Sequence, residues 1–215
     1  LSAIYYIVLQ MKKGLKEFIS TVRHLANEHG IDSVTLEKLQ ENPDFKDQVA
    51  HHGIATDKQL VALILENERH MFEVIFKEYN FDGYDDAIDI LFTVSKEMSQ
   101  KFRNLTPSVT HEYKNRYPDI YQEHLDLRIG FINEKIQINM RKGISQGMYR
   151  DDLSVELVSR RYISRLLDIH DSESFPPEQF SFNTLFDQMF ENFVTSIATP
   201  KGMDYYDKKK KKTRF

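Results

Sequence analysis

His29-Gly30-Ile31-Asp32-Ser33-Val34-Thr35-Leu36-Glu37-Lys38-Leu39-Gln40-Glu41-Asn42-Pro43-Asp44-Phe45 is the stretch that decides the fold. Before it, Leu15, Phe18, Ile19, Val22, Leu25 and Ala26 fall on one helical stripe, the spacing of an amphipathic helix. Gly30 is placed to end that helix, because glycine adopts the positive φ of a left-handed cap. Thr35 offers a side-chain oxygen to the next helix, which carries Leu36 and Leu39. Asn42-Pro43-Asp44 forces a turn. A third short helix with Phe45, Val49 and Ala50 follows and stops at Gly53. Three helices of decreasing length are therefore expected between residues 15 and 53. A unit that small needs a neighbour to be stable.

Outward from this stretch the period stays helical. Thr56 opens a long helix with Leu60, Leu63, Ile64, Met71, Phe72, Ile75, Phe76 and Tyr79 inward, and Gly83 breaks it. Further helices are expected from about Tyr84 to Phe102, between Pro107 and Pro118, from Pro118 to about Gln146, from Val155 to Ile169 and from Phe182 to Ile197. Lys208 to Lys212 is a run of five lysines, expected to be a solvated, disordered tail. The fold class is all-α: a three-helix unit followed by a larger helical bundle. The expected division is an extension over 1–14, a three-helix unit over 15–55, a bundle over 56–203 and a lysine-rich tail over 204–215.

Composition narrows the function. The 215 residues carry 29 Lys+Arg against 33 Asp+Glu, a net charge of −4, and no cysteine, which excludes a disulfide framework and Cys-ligated metal. Eight glycines and six prolines are too few for a many-stranded sandwich. The longest apolar run, Ala3 to Leu9, is too short to cross about 30 Å of hydrocarbon. Lys12 and Lys13 follow that run rather than precede it, unlike a secretory signal. Met11 is the expected natural start and the cytoplasm the expected location. No membrane partner and no cofactor are expected.

No catalytic or metal motif emerges. His51 and His52 are adjacent, about 100° apart on a helix, and do not chelate together. Asn80 to Asp86 lacks the glycine and glutamate spacing of a calcium loop. Glu66, Glu68 and His70 do not form a His-Glu-x-x-His pair. His111, Glu112, His124 and Asp126 are the titratable residues of the middle helices, and their spacing gives no mechanism. No enzyme is expected.

The three-helix layout is that of a helix-turn-helix, and here the chain resembles the TetR/AcrR-type transcriptional regulators. Gly30 to Leu39 is similar to that family's Gly, Ser-Val-Thr-acidic pattern. Arg141-Lys142-Gly143-Ile144-Ser145-Gln146-Gly147-Met148-Tyr149-Arg150-Asp151-Asp152 resembles the family's G-I-x-x-G-x-aromatic-R-x-D junction. Ile197 to Gly202 is similar to the chain end of a subgroup. The resemblance implies a homodimer that binds double-stranded DNA and responds to a small apolar ligand. It implies phosphate contacts from Ser33 and Thr35. It puts Lys46, Gln48 and His51 on the recognition helix, with Lys58 anchoring the cap of the next helix. Phe72, Phe76, Tyr113 and Phe131 would line the ligand pocket. Leu157, Tyr162, Leu166, Phe186, Met189, Phe190 and Phe193 would form the two-fold interface.

Several positions depart from the family pattern. Asp44 stands at the turn glycine, Gln40 at the small packing residue, His51 at the phosphate-contacting tyrosine, Ile54 at the aromatic and Asp57 at the lysine of the cap. Ser33 to Lys58 holds three lysines and five acids, a net −2. The alternative is therefore a non-DNA-binding relative, a dimeric ligand-sensing or protein-interaction module.

Overall fold

A computed structural model describes residues 13–78, 85–101, 107–169, 174–176 and 178–213. Among the described residues there are ten α-helices and no named strand: α1 Lys13–His29, α2 Leu36–Glu41, α3 Pro43–His52, α4 Asp57–Glu78, α5 Ala87–Lys101, α6 Pro107–Arg116, α7 Pro118–Ser145, α8 Val155–Asp168, α9 Phe182–Ile197 and α10 Pro200–Thr213. A 3-10 turn, Ile31–Val34, joins α1 to α2. The all-α expectation holds. The run Ala3 to Leu9, Met11 and Lys12, and the stretch Asn80 to Tyr84 lie outside the described residues.

The chain divides into two compact units. One is Leu1–Met71 with Asn104–Leu125; the other is Phe72–Arg103 with Asp126–Phe215. In the first, the inward stripe of α1 (Phe18, Ile19, Val22 and Ala26) packs in one cluster with Leu39 of α2, Val49 of α3, Leu60 and Ile64 of α4 and Tyr113 of α6. Full burial of one such aliphatic side chain is worth about 1.5–3 kcal/mol. α2 and α3 are too short to persist alone. This shared core and their caps hold them.

The second unit is organised by the junction that follows α7. Gly147 takes φ 67° and turns the chain. Tyr149 then pairs with Ala198 in an isolated antiparallel bridge. Arg150 N donates to Ile197 O at 2.9 Å, and Thr199 N donates to Met148 O at 2.9 Å. The Tyr149 ring lies against α7 at Gly143, where there is no side chain to block it. Its hydroxyl donates to Asn139 Oδ1 at 3.1 Å, and Asn139 Nδ2 donates to Ala87 O at 2.8 Å. Gln146 Oε1 accepts from Ala87 N at 2.9 Å. Asn139 of α7 and Gln146, just past the end of that helix, thus satisfy both backbone groups of the first residue of α5. Burial raises the Tyr149 phenol well above its ordinary range, so it stays a donor.

Two expectations are corrected. The three N-terminal helices do not shorten in order: α1 has 17 residues, α2 six and α3 ten. Pro43 lies inside α3 as its first residue, with Asn42 as cap, because proline at that position loses no hydrogen bond. The lysine run is also not a disordered tail. Thr199 and Pro200 start a further helix, α10, with Thr199 Oγ1 accepting from Gly202 N at 3.1 Å. Tyr206 of α10 is 3% exposed and meets Phe92 and Phe190 at 6.1 and 6.5 Å between ring centres. Lys208 pairs with Asp204, Lys209 with Asp89 and Lys210 with Glu191. Lysines in the last turn also complement the helix dipole.

Candidate nucleic-acid interface

α2 and α3 form a helix-turn-helix whose angles are set by side-chain caps. Thr35 Oγ1 accepts from Lys38 N at 3.4 Å. Asp57, the first residue of α4, accepts from Leu36 N at 2.6 Å. Asn42 Oδ1 accepts from Asp44 N at 3.0 Å. Gly53 closes α3 in the left-handed region, φ 65° and ψ 32°, a conformation that suits glycine. The departure at Asp57 is thus put to structural use: its carboxylate supplies an acceptor to an orphan amide at the start of α2.

One face of α3 is anchored. Phe45 and His52 lie 6.0 and 6.1 Å from the Phe18 ring of α1, and Val49 is buried. Asp44, Asp47, Gln48 and His51 are all exposed. Their spacing, i, i+3, i+4 and i+7, puts them on one stripe. Lys46 is exposed but sits about 160° around the helix from Gln48. It lines an open groove of about 500 Å³ with Gln40, Ala50, Gly53 and Ala55. Of the expected recognition residues, the helix brings Gln48 and His51 together and sets Lys46 on the flank. Lys58 is exposed on the first turn of α4.

Ser33 and Thr35 differ in what they offer a phosphate. The Ser33 hydroxyl donates to Gly30 O at 2.7 Å and is spent inside the loop. Thr35 Oγ1 accepts from Lys38 N, so its own hydrogen stays available. Asp44 and Asp47 belong to the outward stripe, and the sequence reading did not place them there. Their 3.6-residue relation to Gln48 and His51 was the signal that would have done so.

The loop before α2 is held by α6. Glu112 Oε2 accepts from Ile31 N at 3.1 Å. Arg116 makes a two-pronged pair with Asp32, one prong at 3.0 Å. The hydrogen bond from Arg116 holds the Asp32 carboxyl below its ordinary value of 3.8. A carboxyl lowered in the folded state stabilises above its unfolded value, and the contribution is lost as pH falls through the folded value. Replacing Arg116 with Met is expected to return Asp32 toward 3.8. An NMR titration of the Asp32 carboxyl checks this; an unmoved midpoint would show that Arg116 does not hold it.

The expected ligand residues split between the two units. Phe72, Phe76 and Phe131 form an aromatic cluster in the second unit, with ring centres 5.0, 6.0 and 5.3 Å apart. Arg128 and Lys135 lie over Phe72 and Phe131 at 5.1 and 5.3 Å. Tyr113 belongs instead to the core of the first unit, where its buried hydroxyl has no hydrogen-bond partner. The expected interface residues also divide. Tyr162, Phe186, Met189, Phe190 and Phe193 are buried within the chain's own interior, with Tyr162 and Phe193 at 4.6 Å. Within the chain Phe190 also lies 6.5 Å from the Tyr206 ring of α10. Leu157 is 58% exposed and Leu166 half-buried, and these two remain available to a second copy. Among the described residues no group of three His, Asp or Glu is placed to hold a metal. No described helix is long and apolar enough to cross a membrane.

Solved structures share this arrangement. SmeT, the repressor of the Stenotrophomonas maltophilia multidrug efflux pump SmeDEF, superposes with a TM-score of 0.64 at 13% identity, over 86% of this chain and 91% of that one. A TetR transcriptional regulator from Chloroflexus aurantiacus gives 0.61 at 14% identity, over 88% and 100%. The fold is that of the TetR/AcrR regulators. A third TetR-type structure, from Agrobacterium tumefaciens, gives 0.58 at 12% identity, over 90% and 99%. No protein-family model matches the sequence, and no curated protein does. The TetR-type likeness is thus carried by backbone geometry, and the side chains of α3 are this chain's own.

Proposed function

We propose that this chain is a TetR-like transcriptional regulator that binds double-stranded DNA as a homodimer and responds to a small apolar ligand. The observation that carries the reading is the helix-turn-helix itself. It lies at the N-terminal end of a chain that has the TetR-type fold over nearly its whole length. Its second helix is anchored on one face and exposed on the other. A helix presented this way fits the major groove. On this reading Thr35 and Lys58 contact phosphate, Lys46 reaches it from the flank, and Gln48 and His51 face the bases. The working division is a reading unit over 15–55 and a ligand and dimer bundle over 56–203. A ligand at Phe72, Phe76 and Phe131 would act by binding one spacing of the two reading heads better than another. Leu157 and Leu166 would be covered by the second copy.

The second reading, a relative that has lost DNA binding, is supported by charge. The stretch from Ser33 to Lys58 is net −2, and two carboxylates stand on the outward stripe of α3. Phosphate neutralisation supplies nearly all non-specific affinity.

Retention of sheared genomic DNA from the source organism, over a salt series and with sequencing of bound fragments, tests the proposal. Enrichment of a near-palindromic site, weakening as salt rises, is the expected result. A folded dimer that retains no DNA at low salt would leave the second reading.

A further inference from the structure

We infer that the outward stripe of α3 reads amino-bearing base edges, cytosine above all, through Asp44 and Asp47. This rests on the DNA-binding reading and extends it to specificity. Four side chains share the stripe: Asp44, Asp47, Gln48 and His51. Among the described residues Asp44 and Asp47 form no hydrogen bond or ion pair through their carboxylates, and Gln48 is likewise uncommitted. The face is rigidly presented, because Asn42 caps the helix and Phe45 and His52 lie on Phe18. Asp44 and Asp47 lie in its N-terminal half, the part of a recognition helix that meets the bases.

The chemistry of the stripe is rich in acceptors. In the major groove cytosine presents a single amino donor at N4, and adenine presents N6–H beside the N7 acceptor. A carboxylate accepts from cytosine N4. It is repelled by the O6 and N7 acceptors of guanine and by thymine O4. Gln48 suits adenine, since its amide both donates and accepts. The same carboxylates weaken attraction to phosphate at right and wrong sites alike. What matters for a regulator is the ratio of specific to non-specific binding, and the contact to cytosine N4, made only at the right site, raises that ratio. The lysines are placed accordingly: Lys46 lies on the flank of α3 and Lys58 on α4, away from the stripe.

The test is selection from a random duplex pool by the full-length protein, its Asp44→Asn and Asp47→Asn variants, and sequencing of the enriched DNA. Both substitutions are exposed and leave folding intact, which a thermal melt verifies. The wild type is expected to enrich cytosine at one or two fixed positions of each half-site. Asp47→Asn is expected to change its cytosine to adenine, because asparagine pairs with the adenine edge, by about tenfold or more in preference. It should also bind non-specific duplex more tightly. If both variants enrich the wild-type sequence unchanged, the carboxylates repel without reading and the inference falls while DNA binding stands. If the folded wild type enriches nothing at low salt, the inference and the DNA-binding reading fall together.

Discussion

Gly143→Ala is expected to lower the unfolding free energy by about 3 kcal/mol, a fall of roughly 6–12 °C in Tm. A Cβ built at Gly143 lies 2.0 and 2.2 Å from Cδ2 and Cε2 of Tyr149. The ring has nowhere to go: Tyr149 is 1% exposed, its hydroxyl is bonded to Asn139 and its backbone is bridged to Ala198. Overpacking alone costs about 1–3 kcal/mol. Breaking the buried Tyr149–Asn139 hydrogen bond adds about 1–3 kcal/mol. Against this, alanine favours a helix over glycine by about 1 kcal/mol. The steric terms win. A double-mutant cycle with Tyr149→Ala is the check, since removing the ring should turn the Gly143→Ala cost into a small gain. A loss that persists without the ring would show that the close approach is not its cause.

On the proposed reading of a DNA-binding homodimer, replacing Lys46 and Lys58 together with alanine is expected to lower DNA affinity by roughly a hundredfold or more at about 0.1 M salt. Both side chains are exposed, so stability should be unchanged. In a homodimer the pair amounts to four cations. Each neutralised phosphate contributes about 0.9 to the slope of log affinity against log salt. The slope should therefore fall by about 3–4, while the preferred sequence stays the same. Titrations of the variant and the wild type at several salt concentrations measure both quantities. An unchanged slope would remove these lysines from the phosphate contacts. A changed sequence preference would move Lys46 from the flank to the bases.

The backbone plan was legible because local rules agree with the fold in most elements. Phe182–Ile197 is α9 to the residue, since Ser181 caps it and the stripe of Phe186, Met189, Phe190 and Phe193 is continuous. Thr35, Asn42, Pro43 and Gly53 mark the reading unit in the sequence as they do in space. α10 was missed because five adjacent lysines look like a solvated run. What holds it, the pairs Lys209–Asp89 and Lys210–Glu191, depends on tertiary neighbours. The Thr199-Pro200 start was a readable signal. With α10 missed, the contact of its Tyr206 with Phe190 in α9 was out of reach too. The face of α3 was open to simple arithmetic. Lys46 and Gln48 are two residues apart and cannot share a side of a helix.

The clasp of Asn139 and Gln146 on Ala87 has a consequence for hydrogen exchange. The first amides of a helix have no partner within it and ordinarily exchange quickly. Ala87 N is instead held by Gln146 in a residue that is 0% exposed. Its proton should outlast those of most helix starts in deuterated solvent, leaving only when the second unit opens as a whole. That single amide would then report the global stability of the unit from a position where fraying is the rule.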